Sequence, residues 1–315
     1  LNISQLNYFI ELIQEGSFSA AAQKLGITQP ALSLQIKSLE DELEFRLIDR
    51  TRKPFELTPE GEVVLEKARE IVKMTEHLKD VSMELSMADK GLLRIGIIPT
   101  VAPYLVPLFI NYMSERYPQI RIEITELLTE EIISALKDGK LDAGILSTPI
   151  EAKSIVFKPL FYEKFYLYIS DKHDLFEHEK ISLKDFNPDQ LWYLQEGNCF
   201  QNQVTDFCHL ANKQPAGQPF FYRSNSIESL RRIVESRGGM TFIPELATIN
   251  VPSEYEDLVK PIAEPVPFRE ISLAVNRIHS RERLLNRLIE SIRASLPPRM
   301  LEKPNGQATQ TGIRI

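Results

Sequence analysis

From Glu62 to Lys90 the chain carries neither glycine nor proline, a length that few folds take up in one piece. Within it Val64, Ala68, Ile71, Thr75, Leu78, Ser82 and Leu85 recur at alternating steps of four and three, apolar at five of the seven places. That is a heptad seam. Pro59 and Gly61 open the segment, so the spacing predicts a helix of roughly 28 residues, a rod of about 42 Å. A lone rod cannot bury its own stripe. The pattern points to pairing with a second copy, the alternative being a helix packed on its own domain. The seam also divides the chain, with residues 1–58 before it, the helical segment 59–90, and everything from residue 91 after it.

At 315 residues the chain has room for two domains or three. No run approaches eighteen apolar residues, so no transmembrane helix and no membrane partner are expected. The first twenty residues lack a basic start, and no secretory signal is visible there. Two cysteines fit a reducing compartment, and a cytoplasmic protein is the expectation. The net charge is −7, and residues 1–88 hold ten Lys/Arg against fifteen Asp/Glu. That balance argues against a nucleic-acid binder, so any such role must come from local pattern. There is no Walker loop, no HExxH and no closed set of metal ligands, so neither a metal nor a cofactor is implied.

The local pattern lies in SFSAAAQKLGITQPALSLQI, residues 17–36. Ser17 can cap a short helix whose Ala20-Ala21-Ala22 run allows close helix approach. Gly26 supplies the left-handed conformation that ends it. Thr28 can cap the next helix, and Pro30 fits its first turn. Leu32, Ile36, Leu39 and Leu43 then face a core, while Gln29, Ser33 and Lys37 form a neighbouring polar stripe. Two helices joined by such a turn make a helix-turn-helix, whose Gln can pair with adenine and whose Ser can reach a base or a phosphate. Next comes FRLIDRTRKPFELTPEG, with Arg46, Arg50, Arg52 and Lys53 against Asp49. Its alternation and Pro54 suggest a β-wing that touches phosphates or the minor groove. The candidate DNA contacts are therefore Ser17, Gln29, Pro30, Ser33, Lys37, Arg50 and Arg52. Residues alone leave a small helical protein-interaction module as the other reading.

After Leu92 the rhythm changes. Strand-like LLRIGIIP, IRIEITEL and LDAGIL alternate with helix-like PLFINYMSERYP and TEEIISALKDGK, which predicts a parallel sheet flanked by helices. FYLYIS, LWYL, MTFIP and REISLAV read as further strands. SIESLRRIVESRGG and the amphipathic HSRERLLNRLIESIRASL read as helices, the latter able to pack internally or at an interface. Little periodicity remains after Pro297-Pro298, so residues 302–315 are expected to form a disordered tail.

Cys199 and Cys208 lie in LWYLQEGNCFQNQVTDFCHL. Cys199 belongs in a loop or the first turn of a short helix, and Cys208 near that helix's end. Nine helical steps would separate the Cα atoms by about 13 Å, whereas a disulfide needs less than about 7 Å. Either the two are unrelated core thiols, or they form a redox pair whose bonding requires the segment to unwind. His209 beside Cys208 reads as a surface histidine.

The stretch FSAAAQKLGITQPALSLQIKSLEDELEFRLIDRTRKPFELTPEG resembles the winged helix-turn-helix of LysR-type transcriptional regulators. The elements AA-x-x-L-x-(I/V)-(T/S)-Q-(P/S)-A-(L/V)-S, LE-x-x-L and LT-x-x-G all stand in place. The resemblance implies an all-α winged helix-turn-helix at 1–58 and a dimerising linker at 59–90. It also implies a two-lobed α/β regulatory domain, like a periplasmic binding protein, at 91–301. Its partners would be double-stranded promoter DNA and other copies of itself, as a dimer and then a tetramer, with RNA polymerase a further one; no enzyme activity is implied. GNC-x8-C, with IGIIPTVAPYLVP upstream and GMTFIPELA downstream, resembles the peroxide-sensing members of that family. By that resemblance Cys199 is the peroxidatic thiol and Cys208 the resolving one. Thr100, Thr129, Asn198 and Arg269 would line the peroxide pocket, with hydrogen peroxide as the signal for antioxidant genes. Many such members carry histidine where this chain has Asn198, which can donate a hydrogen bond but exchanges no proton near neutral pH. The alternatives are a metabolite-responsive regulator of the same family with bystander thiols, a thiol peroxidase, and a metal sensor.

Overall fold

The structure is a computed structural model describing residues 1–52, 54–85, 89–185, 187, 190–195, 198–208, 222, 224–277 and 281–313. Lys53, Gly197 and His209, and the side chains of Ser82 and Leu85, lie outside the described residues. The chain divides into two compact units, one built on Leu1–Ala88 and the other on Asp89–Arg277 with Glu282–Ile315.

In the first unit α1 (Ile3–Glu15), α2 (Phe18–Leu25) and α3 (Gln29–Leu43) surround a core of Leu6, Phe9, Leu12, Ala21, Leu32, Ile36 and Leu39. The local punctuation acts as its chemistry requires. Ser17 Oγ accepts from Ala20 N at 3.0 Å, Gly26 takes φ 67°, and Thr28 Oγ1 accepts from Ala31 N at 3.4 Å. The wing is a two-stranded ribbon of β1 (Ile48–Asp49) and β2 (Glu56–Leu57), paired antiparallel. The long helix α4 spans Pro59–Leu85. Its opening turns pack on the same core through Leu65 and Ala68. Further along, Ile71, Met74 and Leu78 stand exposed, Leu78 at 71%. Self-packing therefore accounts for the start of the stripe and leaves Ile71 and Leu78 uncovered.

The second unit is built on one sheet ordered β4-β3-β5-β9-β6-β7. Its strands are β3 (Gly91–Ile97), β4 (Ile120–Glu126), β5 (Ala143–Thr148), β6 (Ile155–Ile169), β7 (Met240–Pro244), β8 (Val259–Pro261), β9 (Pro267–Asn276) and β10 (Gln307–Ala308). The expected parallel sheet is instead mixed. β3 runs parallel to β4 and β5, pairs reached through the crossover helices α5 (Ala102–Arg116) and α6 (Thr129–Lys137). The long strands β6 and β9 pair antiparallel with each other, with a register shift between Pro159 and Phe161. β9 also opposes β5, and β6 opposes β7. Two apolar clusters flank this sheet, one around Leu93, Phe109, Ile132 and Leu273, the other around Phe165, Leu167, Val234 and Ile243. These are the two lobes. LWYL is no strand, forming only a bridge from Leu191 to Met240. The closing helix α9 (Glu282–Ala294) packs inward through Leu284, Leu285, Leu288 and Ile292.

The expectation of a disordered tail is corrected. β10 pairs parallel with Pro267–Phe268 of β9, beyond the point where β5 stops pairing at Glu270. An open strand edge there offers backbone partners that two residues suffice to take, too few to leave a periodic signal. Thr309 and Thr311 are buried behind it, and Thr311 Oγ1 donates to Pro149 O.

Candidate functional site

Two short helices complete the second unit, α7 (Cys199–Phe207) and α8 (Ile227–Arg237). Asn198 caps α7, its Oδ1 accepting from Phe200 N at 3.0 Å, so Cys199 is the first helical residue. The helix straddles the lobes: Cys199 packs in the first apolar cluster, while Phe200, Val204 and Phe207 belong to the second. Cys208 is the C-cap at the far end of the same helix, partly exposed, and both thiols are free. Along nine helical residues the two are held about 13 Å apart.

Toward Cys199 the fold brings three residues from distant parts of the chain. Thr100 follows β3, Thr129 opens α6, Arg269 lies in β9, and all three are buried. Arg269 Nη1 donates to Thr100 Oγ1 at 3.0 Å and Nη2 to Thr100 O at 3.3 Å. The guanidinium carbon sits 4.8 Å from the Phe200 ring centroid, one residue from the thiol. Burial pushes the Cys199 thiol up from its ordinary value, against the pull of the Arg269 charge, the Thr129 hydroxyl and the Phe200 and Ser147 N–H groups. Burial alone pushes Cys208 up.

Two buried polar atoms on this helix have no hydrogen-bond partner among the described residues, Asn198 Nδ2 and Gln203 Oε1. Unsatisfied groups of this kind cost about 1–3 kcal/mol each. Gln203 was not anticipated from sequence. It is wholly buried on α7, and its Nε2 donates to Ser147 Oγ at 3.0 Å. Its place four residues after Cys199, on the same helix face, is the signal that could have found it. Glu163 was also missed. It is fully buried in β6, with Oε1 accepting from Arg269 Nε at 2.9 Å and Oε2 accepting from Leu246 N at 3.1 Å. Nothing local in FYEKF announces it. A separate cavity of about 310 Å³ is lined by Tyr104, Glu228, Arg231, Arg232 and Tyr255 among others, and by none of the residues around Cys199.

In the first unit Gln29, Pro30 and Lys37 are exposed on α3 and Ser33 is half-buried. Ser17 is exposed, with its hydroxyl committed to its cap. Arg50 Nη2 donates to Glu40 Oε2 at 3.1 Å, and its guanidinium carbon lies 5.4 Å from the Phe18 ring centroid. Glu40 Oε1 also accepts from Leu47 N at 2.9 Å, tying the wing to α3. Arg52 pairs with Glu56 at 2.6 Å. Both arginines are aimed by carboxylates rather than free.

Residues 3–62 match the model of the bacterial regulatory helix-turn-helix protein, lysR family, and residues 88–297 match that of the LysR substrate binding domain. The chain belongs to the LysR family of bacterial transcriptional regulators. It is 32% identical to a hydrogen peroxide-inducible genes activator of Dickeya chrysanthemi, over 98% of this chain and 100% of the relative. Its fold is similar to that of a full-length OxyR variant from Pseudomonas aeruginosa, with TM-score 0.73 and 30% identity over 93% of this chain and 97% of that one. It is also similar to a hydrogen peroxide-bound mutant of Corynebacterium glutamicum OxyR, with TM-score 0.58 and 25% identity over 93% of this chain and 92% of that one.

Proposed function

We propose that this protein is a hydrogen peroxide-responsive, DNA-binding transcription activator of antioxidant genes, and that Cys199 reads the signal. The observation that carries this is the burial of the Cys199 thiol beside the Arg269 guanidinium and the Thr129 hydroxyl, with Thr100 holding Arg269 from behind. The thiol gives up its proton as the peroxide enters, with the guanidinium favouring the thiolate. Sulfur attacks one peroxide oxygen; the S–O bond forms, the O–O bond breaks, and two electrons pass from sulfur to peroxide. The second oxygen leaves as hydroxide and takes up a proton to become water. Cys208 then attacks the sulfenic sulfur, giving the Cys199–Cys208 disulfide and a second water. From about 13 Å that bond cannot form on an intact α7. Closure therefore requires the helix to unwind, and the unwinding is the switch.

Four features support the rest of the reading. Gln29, Pro30, Ser33 and Lys37 present the exposed face of α3 to promoter DNA, with Ser17 at the neighbouring helix start and Arg50 and Arg52 on the phosphates. The uncovered seam of Ile71 and Leu78 on α4 suits pairing with a second copy. Dimers of dimers, with RNA polymerase as a further partner, would carry the change to the promoter. The two lobes joined by β6 and β9 are analogous to a periplasmic binding protein, with the redox helix in place of a ligand. No helix among the described residues is long and apolar enough to cross a membrane, in keeping with a cytoplasmic regulator. The thiol reacts once per signal and is reset by a thiol reductant, which is regulation rather than enzymatic turnover.

A second reading, regulation by a small metabolite, is favoured by the 310 Å³ cavity beside Arg232 and Tyr255. Intact-mass and thiol-trapping analysis after a stoichiometric pulse of hydrogen peroxide separates the two. Loss of two hydrogens with a Cys199–Cys208 linkage, absent in Cys199→Ser, is expected. Two free thiols after a pulse that oxidises a reactive control would remove the peroxide reading and leave the metabolite one.

A further inference from the structure

Glu163 and Arg269 form an ion pair in which both side chains are wholly buried, with Nη2 to Oε1 at 2.7 Å. Such a pair is a poor device for stability alone. The cost of desolvating both charges often equals the attraction, and apolar residues of similar volume would join β6 to β9 as well. Its hydrogen-bond inventory indicates another purpose. Arg269 has five N–H donors in a rigid plane. Nε donates to Glu163 Oε1 with Nη2 in ion-pair contact with the same oxygen, Nη2 donates to Thr100 O, and one Nη1 hydrogen goes to Thr100 Oγ1. One N–H remains on Nη1, without a partner among the described residues. Glu163 is itself pinned, because its second oxygen accepts from Leu246 N. The carboxylate therefore sets the plane of the guanidinium, and with it the direction of the uncommitted Nη1 donor.

We propose that Glu163 is a positioning residue for the peroxide reaction of Cys199, acting through Arg269. The inference rests on the peroxide reading above. Glu163 touches neither sulfur nor peroxide. It holds the free Nη1–H where the departing hydroxide accepts it as the O–O bond breaks. Its negative charge also offsets the guanidinium, so that the site supplies a directed hydrogen bond without keeping the thiol ionised at rest.

The test uses the full-length chain carrying Cys208→Ser, so that oxidation stops at the sulfenic acid. Two rates are measured at Cys199: reaction with hydrogen peroxide, read by dimedone trapping, and alkylation by iodoacetamide. Both need the thiolate, but only the first needs a donor for departing hydroxide. In Glu163→Gln the peroxide rate is expected to fall by roughly 30- to 100-fold, the scale set by misplacing a catalytic donor. Alkylation should hold or rise, because a negative charge has been removed near the thiol. Glu163→Asp keeps the charge on a shorter arm and should recover part of the peroxide rate. It also reports the same split if Glu163→Gln fails to fold. Parallel loss of both rates, or no loss of the peroxide rate, overturns the assignment. If the parent is alkylated yet ignores peroxide, the peroxide reading itself falls, and Glu163 has no such reaction to serve.

Discussion

Helices α3 and α7 use the same local grammar and reach opposite conditions. Each begins on a side-chain cap, Thr28 in one and Asn198 in the other. Helix α3 buries Leu32, Ile36 and Leu39 in one cluster and turns Pro30, Leu34 and Lys37 outward. Helix α7 buries Cys199, Phe200, Gln203, Val204 and Phe207, divides them between two clusters, and leaves Asn198 Nδ2 and Gln203 Oε1 unpartnered. A helix anchored in one core, with its polar face outward, is a rigid reading edge. A helix divided between two lobes, with buried polar atoms unmet, is the segment the proposed switch would ask to unwind.

The strongest way to break this contrast is Arg269→Met. It strands Glu163 as a buried, uncompensated charge, which should cost about 3–5 kcal/mol. Urea denaturation should show that loss in the regulatory unit, and peroxide should no longer oxidise Cys199 at a useful rate. DNA affinity of the still-folded fraction should be unchanged. Close behind is Ile36→Ala, which opens a cavity under α3 and should cost about 2–4 kcal/mol. Here DNA binding, followed by fluorescence anisotropy, should be lost while the Cys199 oxidation rate stays within about twofold, since the two units have separate cores.

Gln203→Leu sharpens the comparison from the other side. It removes an unpaired buried acceptor at nearly constant volume, at the expense of one bond to Ser147 Oγ. A net gain of about 1 kcal/mol in α7 is expected. Amide hydrogen exchange across 199–207 should slow, and disulfide closure should slow with it. Faster closure would mean that α7 is not the barrier.

The pH dependence follows from burial of both thiols. Their folded pKa values lie above the ordinary 9.0, so the thiolate of Cys199 is still growing where an exposed thiol has levelled off. The peroxide rate should therefore keep climbing above pH 10. Stability moves the other way: the contribution from the protonated thiols is complete below the ordinary value and is lost as pH rises beyond it. A reaction rate that is flat above pH 7 would show that Arg269 outweighs burial.

What could be read in the sequence follows the same division. Helix α3 and its turn depend on Ser17, Gly26, Thr28 and Pro30, all within a few residues of what they act on, so pattern reasoning reached them. The start of α7 was only half legible, because the residues before Cys199 left a loop and a first helical turn equally open. Glu163 was not, because its meaning comes from Arg269, 106 positions away, and a glutamate in FYEKF has the look of an exposed charge. The order of residues 302–313 was hidden similarly: β10 exists because β5 ends early, a fact about a distant edge. Mixed strand directions escaped because alternating β and α segments say nothing of where β9 inserts.

The smallest effect compares the caps. Asn198 Oδ1 meets Phe200 N at 3.0 Å inside the protein, whereas Thr28 Oγ1 meets Ala31 N at 3.4 Å in solvent. Water can replace the second partner and not the first. Thr28→Ala should therefore cost only about 0.5 kcal/mol, the low end for a cap, seen as a slight drop in the urea midpoint of the DNA-binding unit. Asn198→Ala removes a buried cap together with an unmet Nδ2 donor, so the loss of one should be largely offset by relief of the other. Its net change in stability should match that of Thr28→Ala within about 0.5 kcal/mol, while the peroxide rate falls. If stability drops by several times that amount with the rate intact, Asn198 serves the helix alone, and the contrast between a finished α3 and an unfinished α7 fails at its first residue.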